Sequence, residues 1–386
     1  LGALRHQQIG PALSPTGLRP MESAILDAGP RQLLAKWDHA IAAAGADGQA
    51  RICYYYDFVL MAFDVIGSLG FGQVHRSLTT GDRKVVTWVR QTFKLLFLQM
   101  VAPIVKRTPF RQLAVGALHT GVDEFSAYIS RAIDERKRLL AAKGPKPTDI
   151  LQTLLDARDP KTGAALTHAQ ATAETIAILA MGADTSALTL CWTLHLLLLH
   201  PEHLRRATDE VRAAFAAGHL ITYAEATQRL PHLEACLYES MRVQPVACNL
   251  PRRTPRGGVV LQGHFIPEGY TSSASLVVAN VNKDAWERPH EFDPARFVHN
   301  EANKQLLLTF SSGVRGCPGR HLAMLEMLTT LANILSAYDF ALPEDSLFTP
   351  DRLDARGQPI LMPHHLAATC APRFPDRDCI AIVSKR

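Results

Sequence analysis

The stretch that most constrains this chain is Phe310-Ser311-Ser312-Gly313-Val314-Arg315-Gly316-Cys317-Pro318-Gly319. It sets one cysteine in a glycine-rich run. Apolar positions at helical spacing follow from His321 to Leu335, among them Leu322, Leu325, Leu328 and Leu331. Leu306-Leu307-Leu308 ahead of it is apolar enough for a buried strand or extended segment. Cys317 is therefore expected in a turn at the entrance to a helix, where the positive helix end and its free N–H groups favour a thiolate over a thiol. Gly313 and Gly319 permit backbone geometry and close approaches that a side chain would block. Arg315, two residues before the thiol, can reach a carboxylate beside a thiolate-bound metal group. A buried structural cysteine is the commoner fate of a lone Cys; the whole pattern, not the thiol, argues for a ligand.

The bulk numbers narrow the class. A chain of 386 residues can bury a sizeable core, and 47% hydrophobic with 20% charged residues is ordinary for a globular protein. A net charge of +5 is too small to argue for nucleic acid, though it leaves room for a locally basic docking face. The seven cysteines, at 53, 191, 236, 248, 317, 370 and 379, include no C-x-x-C pair. That dispersed, odd set fits reduced thiols in a cytosol-facing protein better than a disulfide framework or a zinc site. The longest apolar run, Thr175 to Leu199, is broken by Asp184 and His195 and reads as a buried core helix before a membrane span. No signal peptide is visible, and the absence of an initial Met leads to the expectation of a fragment or processed product.

Helical spacing dominates from Pro20 to about Val243, with a helix over Phe58 to Phe71 ending near Gly70, and another over Gly121 to Ala142. Thr92 to Val105 reads as a core helix, with a membrane-touching loop as the weaker alternative. Lys143-Gly144-Pro145-Lys146-Pro147 is a linker by composition, and Pro201 and Pro231 each suit the first turn of a helix. Beyond Pro245 the pattern turns extended. Gly257 to Gly269 reads as short strands joined by tight turns, Leu276 to Val281 as a further strand, and Cys379 to Val383 as the last one. The expected fold is mainly α with a small β-rich subdomain, one domain over residues 1–386.

Two further constellations carry polar groups. Glu239 and Arg242, three apart, share a helix face, where a solvated ion pair is the default. Met181-Gly182-Ala183-Asp184-Thr185-Ser186 places polar residues inside the long apolar helix; Thr185 and Ser186 can simply bond back to the preceding turn.

Taken together and in order, these motifs resemble the cytochrome P450 family. The cysteine run fits that family's F-x-x-G-x-R-x-C-x-G loop at every fixed position, and Ala323 and Glu326 fall on its following A-x-x-E. Glu239-Ser240-Met241-Arg242 resembles the E-x-x-R helix, and Asp293-Pro294-Ala295-Arg296-Phe297 the later P-x-R-F segment. Met181 to Ser186 is similar to the oxygen-groove motif, with Met181 where Ala or Gly is usual.

The resemblance implies a P450-like fold and a thiolate-ligated haem b with Cys317 as axial ligand, Phe310 beside the sulfur, and Arg315 and Arg252 on the propionates. Gly182 would let O2 or water approach where the helix opens locally, and Asp184 and Thr185 would relay protons for O–O cleavage. Glu239, Arg242 and Arg296 would form a buried architectural network, and Met181 would narrow the substrate pocket. The implied activity is monooxygenation of an apolar small molecule by O2. Electrons would come from NADPH through a reductase docking on the Cys317 side. A haem-thiolate isomerase, dehydratase or peroxygenase and a non-catalytic haem-binding remnant are the alternatives. The style of the motifs suggests a fungal microsomal enzyme of secondary metabolism. Its full-length form would sit on the cytosolic face of the endoplasmic reticulum membrane and carry roughly one hundred more residues, with the anchor and first sheet, ahead of this chain.

Overall fold

The computed structural model describes residues 8–45, 48–72, 75–102, 110–144, 146–147, 149–159, 162–366 and 368–386. Helices dominate its first two thirds: α1 (Pro30–Ala43), α2 (Tyr54–Phe71), α3 (Lys84–Val101), α4 (Phe110–Ala141), α5 (His168–Leu199), α6 (Pro201–Ala214) and α7 (Pro231–Val243), with strand β1 (Gln49–Cys53) between α1 and α2. Then come β2 (Asn249–Arg253), β3 (Val259–Leu261), β4 (His264–Ile266), β5 (Thr271–Ser275), α8 (Leu276–Ala279), α9 (Glu301–Leu306), α10 (Arg320–Ala337), β6 (Tyr338–Ala341), β7 (His364–Leu366), β8 (Cys370–Pro372) and β9 (Ile380–Lys385). The mostly α architecture with small sheets matches the expectation.

α5 is the spine. Thr167 caps it, with Gln170 returning the bond in a capping box, and nearly every residue from Leu179 onward is buried. Among the described residues it is the one helix long and apolar enough to cross a membrane, and that burial marks it as a core helix. α2 lies along it and is itself buried almost throughout, ending at Gly72 with φ +65. At Gly182 of α5 the two helices pack tightly, since a Cβ there would stand 3.1 Å from Cγ1 of Ile66. α7 and α10 complete the layer around α5, and one hydrophobic cluster runs from Ile9 to Val383.

The sheets are antiparallel pairs, save one of three strands in the order β1-β9-β6. In β2–β5, Arg252 pairs with Ser272; β3–β4 is the tight hairpin expected within Gly257 to Gly269. Pro201 and Pro231 open α6 and α7 as expected. α3 and α4 both begin earlier than the apolar spacing suggests, at Lys84 and Phe110; residues 103–105 of the helix expected over Thr92 to Val105 lie outside the described residues.

Two local expectations are corrected. Leu276 to Val281 is not a strand: the Ser275 hydroxyl accepts the Val278 N–H and caps the short helix α8, and the strand is the preceding β5. Leu306 to Leu308 is not extended either. Asn300 caps α9 through the Asn303 N–H, and a 3-10 turn spans Leu308–Phe310, so only Leu307 turns fully inward.

Candidate functional site

The cysteine loop folds back on itself. The Cys317 N–H donates to the Phe310 carbonyl at 2.7 Å, and Gly316 N–H to Gly313 O at 2.9 Å. Gly313 adopts φ +63, and Ser311 is held at φ +57, a region that costs a non-glycine residue strain and often marks a functional turn. α10 starts three residues after the thiol, so Cys317 stands at a helix entrance as expected. Its side chain is open to one side and crowded by protein on the others.

That crowding changes the electrostatic expectation. Burial raises the Cys317 thiol above its ordinary value, and the N–H groups of Gly319 and Arg320 recover only part of it. The helix end alone does not make the thiolate; a metal cation on the sulfur does so by its own charge. Among the described residues no three or more His, Cys, Asp or Glu gather into a metal site.

The surroundings fit a bound prosthetic group. The Arg252 guanidinium reaches across from β2 and donates to Ser311 Oγ at 3.2 Å, so a second cation stands over the loop beside exposed Arg315. A Cβ added at Gly319 would fill the space 3.9 Å from the sulfur. Phe310 is half-buried, its ring 5.7 Å below the Arg320 guanidinium. One thiol, a glycine-lined approach and two guanidinium groups suit a thiolate-ligated haem with acidic substituents.

Behind the loop, Glu239 and Arg242 form a fully buried bidentate pair with both contacts at 2.7 Å. The remaining N–H groups of Arg242 go to the carbonyls of Asn280, Pro289 and Glu291. All five donors of the guanidinium are thereby used. Glu239 also accepts from the Asp293 N–H at 2.8 Å and from Arg296 at 3.3 Å, and Arg296 caps the carbonyls of Glu287 and Arg288. The structure therefore brings all three network residues together. Thr309 Oγ1 on Met241 O and Lys304 on Glu234 at 2.9 Å tie the segment before the loop to α7.

On α5 the polar turn divides by face. Met181, half exposed, and Thr185 share one side. The Thr185 hydroxyl donates to Met181 O at 2.7 Å, the back-bond weighed above, which leaves its oxygen free to accept. The helix stays α-helical through Gly182, so the expected local opening is absent. Packing against Ile66 of α2 is one reason for a glycine there. Asp184 turns inward. Burial pushes its carboxyl up to about 6, against the hydrogen bond from Thr369 at 2.9 Å and the charge of Arg90.

Sequence reasoning missed the partners of this turn. Ser186 hydrogen-bonds Glu326 on α10, and burial pushes that carboxyl up to about 8, so it is a neutral acid at pH 7. Glu326 Oε1 has no partner of its own. The A-x-x-E spacing singled out Glu326, but nothing local links it to Ser186, nor Thr369 to Asp184.

The Cytochrome P450 family model matches residues 8–366. The chain belongs to the cytochrome P450 family. It is 39% identical to "Cytochrome P450 monooxygenase helB2" of Aspergillus fumigatus, over all of this chain and 76% of that one. It is 38% identical to "Cytochrome P450 monooxygenase helB1" of the same fungus, over 99% of this chain and 66% of the relative. The crystal structure of the cytochrome P450DA heme domain shares the fold at TM-score 0.79 with 22% identity, covering 99% of this chain and 76% of that one. The chain is thus a P450 monooxygenase by family, with a thiolate-ligated haem as its cofactor and a redox partner implied.

Proposed function

We propose that residues 1–386 act as one catalytic domain that inserts an oxygen atom of O2 into an apolar small molecule, with NADPH electrons delivered by a reductase. In this reading the protein works at the cytosolic face of the endoplasmic reticulum membrane. The observation that carries the reading is Cys317, its backbone N–H bonded to the Phe310 carbonyl in a strained glycine loop, with Arg252 and Arg315 beside that loop. When bound, a thiolate-ligated haem supplies the oxygen chemistry, because the sulfur pushes electron density toward iron and favours O–O cleavage.

The chain's own residues have separable tasks. Cys317 would ligate the haem iron, and Arg315 and Arg252 would neutralise its propionates. Phe310 shields the sulfur from water. Thr185, its proton engaged by Met181 O, offers lone pairs to a water or protonated ligand, and Asp184 is the nearest titratable group to it along the helix. Glu239, Arg242 and Arg296 hold the loop's supporting segments and touch no reactant. Met181 fills the pocket wall.

The test is the absorption spectrum of the purified, reduced chain under carbon monoxide. The strongly red-shifted Soret band of thiolate-ligated haem is expected, and Cys317→Ala should abolish it. A parent without that band, or a variant that keeps it, would overturn the assignment.

A further inference from the structure

Asp184 has a task in the proposed function, yet the group that addresses its carboxyl lies in none of the motifs. The Thr369 hydroxyl donates to Asp184 Oδ2 at 2.9 Å. Among the described residues this is the carboxyl's one hydrogen bond. Thr369 is half-buried and comes immediately before β8.

The residue after it is held from both sides. The Cys370 N–H donates to Val246 O at 2.8 Å, and the Cys370 carbonyl accepts from Trp192 Nε1 at 3.0 Å. Further along, the Arg373 N–H on Pro363 O closes the β7–β8 hairpin, also at 2.8 Å. Trp192 lies on α5 eight residues after Asp184, on the same side of the helix. α5 therefore receives the hairpin at two points, one a backbone carbonyl and the other the Thr369 hydroxyl. A β-branched side chain on so fixed a backbone has little freedom to turn elsewhere.

The common use of a threonine hydroxyl is a bond back to its own helix or turn. Thr185, Thr189 and Thr193 on α5 all do this. Thr369 instead gives its proton to an acid 185 residues away in the chain. Packing alone could be served by valine, which has the same shape; only the hydroxyl supplies a donor.

Asp184 needs a donor because it is buried. Burial disfavours the charged carboxylate and a donated hydrogen bond favours it; the balance leaves the group at about 6. Arg90 of α3 adds a favourable charge. Tyr55 of α2, itself bonded to Arg90 Nε at 3.2 Å, lies where the Asp184 charge is felt. From α10, Glu326 meets Ser186 instead.

We propose that Thr369 is a positioning residue for Asp184: its hydroxyl, carried by the hairpin, aims the carboxyl and favours the ionised form that accepts a proton for the relay. The inference rests on the monooxygenase reading and adds to it the residue that sets the state of its acid. Thr369 itself touches no reactant.

The test is an infrared pH titration of the haem-loaded protein carrying carbon-13 aspartate, with Asp184→Asn identifying the Asp184 band. The parent should titrate near pH 6. Thr369→Val keeps the shape and removes the donor, so its midpoint should rise by about one pH unit. Thr369→Ala carries the same expectation, should the valine variant not fold. Thr369→Ser keeps the hydroxyl and should titrate as the parent does. Coincident midpoints in the parent and the donor-free variants, or a serine variant that titrates like them, would overturn the proposal. The carbon monoxide spectrum is recorded on the same samples. A missing thiolate band would sink the monooxygenase reading, while the carboxyl titration still decides the hold of Thr369 on Asp184.

Discussion

At the scale of single residues, the site is read most directly through Cys317 and least directly through its neighbours. The F-x-x-G-x-R-x-C-x-G spacing is a local pattern, so the loop, its helix entrance and its arginines were legible in the sequence. What spacing cannot carry is burial. The Cys317 thiol was expected to favour ionisation, yet crowding outweighs the helix end. Met181, half exposed on the Thr185 face, fills space with a flexible thioether. Met181→Ala should admit bulkier ligands, seen as at least a severalfold gain in affinity for them in spectral titrations. No gain would mean that Met181 does not wall the pocket. Glu326 gives a pH-dependent outcome. Its folded pKa of about 8 lies above the ordinary 4.5, so the folded state binds the proton more tightly. That contribution is fully present below about 4.5 and is lost progressively as pH rises to about 8, at no more than about 1.4 kcal/mol per pH unit. Glu326→Gln keeps the neutral hydrogen bond without the ionisation. Thermal melts should show the variant gaining on the parent between pH 5 and pH 8; parallel melting curves would count against a neutral Glu326.

At the scale of elements, prolines and apolar spacing made most helices legible, and the failures share a cause. Leu276 to Val281 is rich in β-branched residues and reads as a strand, but one hydroxyl, that of Ser275, commits it to a helical turn. Leu306 to Leu308 is apolar on all sides of a segment too short for any periodicity to show. The packing of Gly182 on Ile66 was hidden because that partner lies on another helix. The α7 network was legible as a pair, and its wider reach was not, since Arg242 is satisfied by three carbonyls about forty to fifty residues downstream. A lysine has neither the planar fork nor enough donors for that role. Arg242→Lys should therefore destabilise the fold by about 3–5 kcal/mol, as removal of one partner from a buried pair does. Denaturant melts read this directly, and a loss below about 1 kcal/mol would show that the network is dispensable.

At the scale of the whole molecule, α5 gathers the site. It touches the helix that leaves Cys317 through Ser186, holds the β7–β8 hairpin through Asp184, and packs on α2 at Gly182. The fold class and the order of the motifs along the chain were legible because each motif is local. How they converge was not, because the bonds that join them link residues far apart in the chain. The three-stranded sheet shows the same long reach. β9 lies between β1 and β6, pairing Ala50 with Val383 on one edge and Phe340 with Val383 on the other. During synthesis β1 leaves the ribosome first and β6 much later, and neither can meet its partner until β9 has followed. The nascent chain must wait with an unpaired edge exposed for most of its translation time. The strand order thus makes the pairing of β1 a late event in folding.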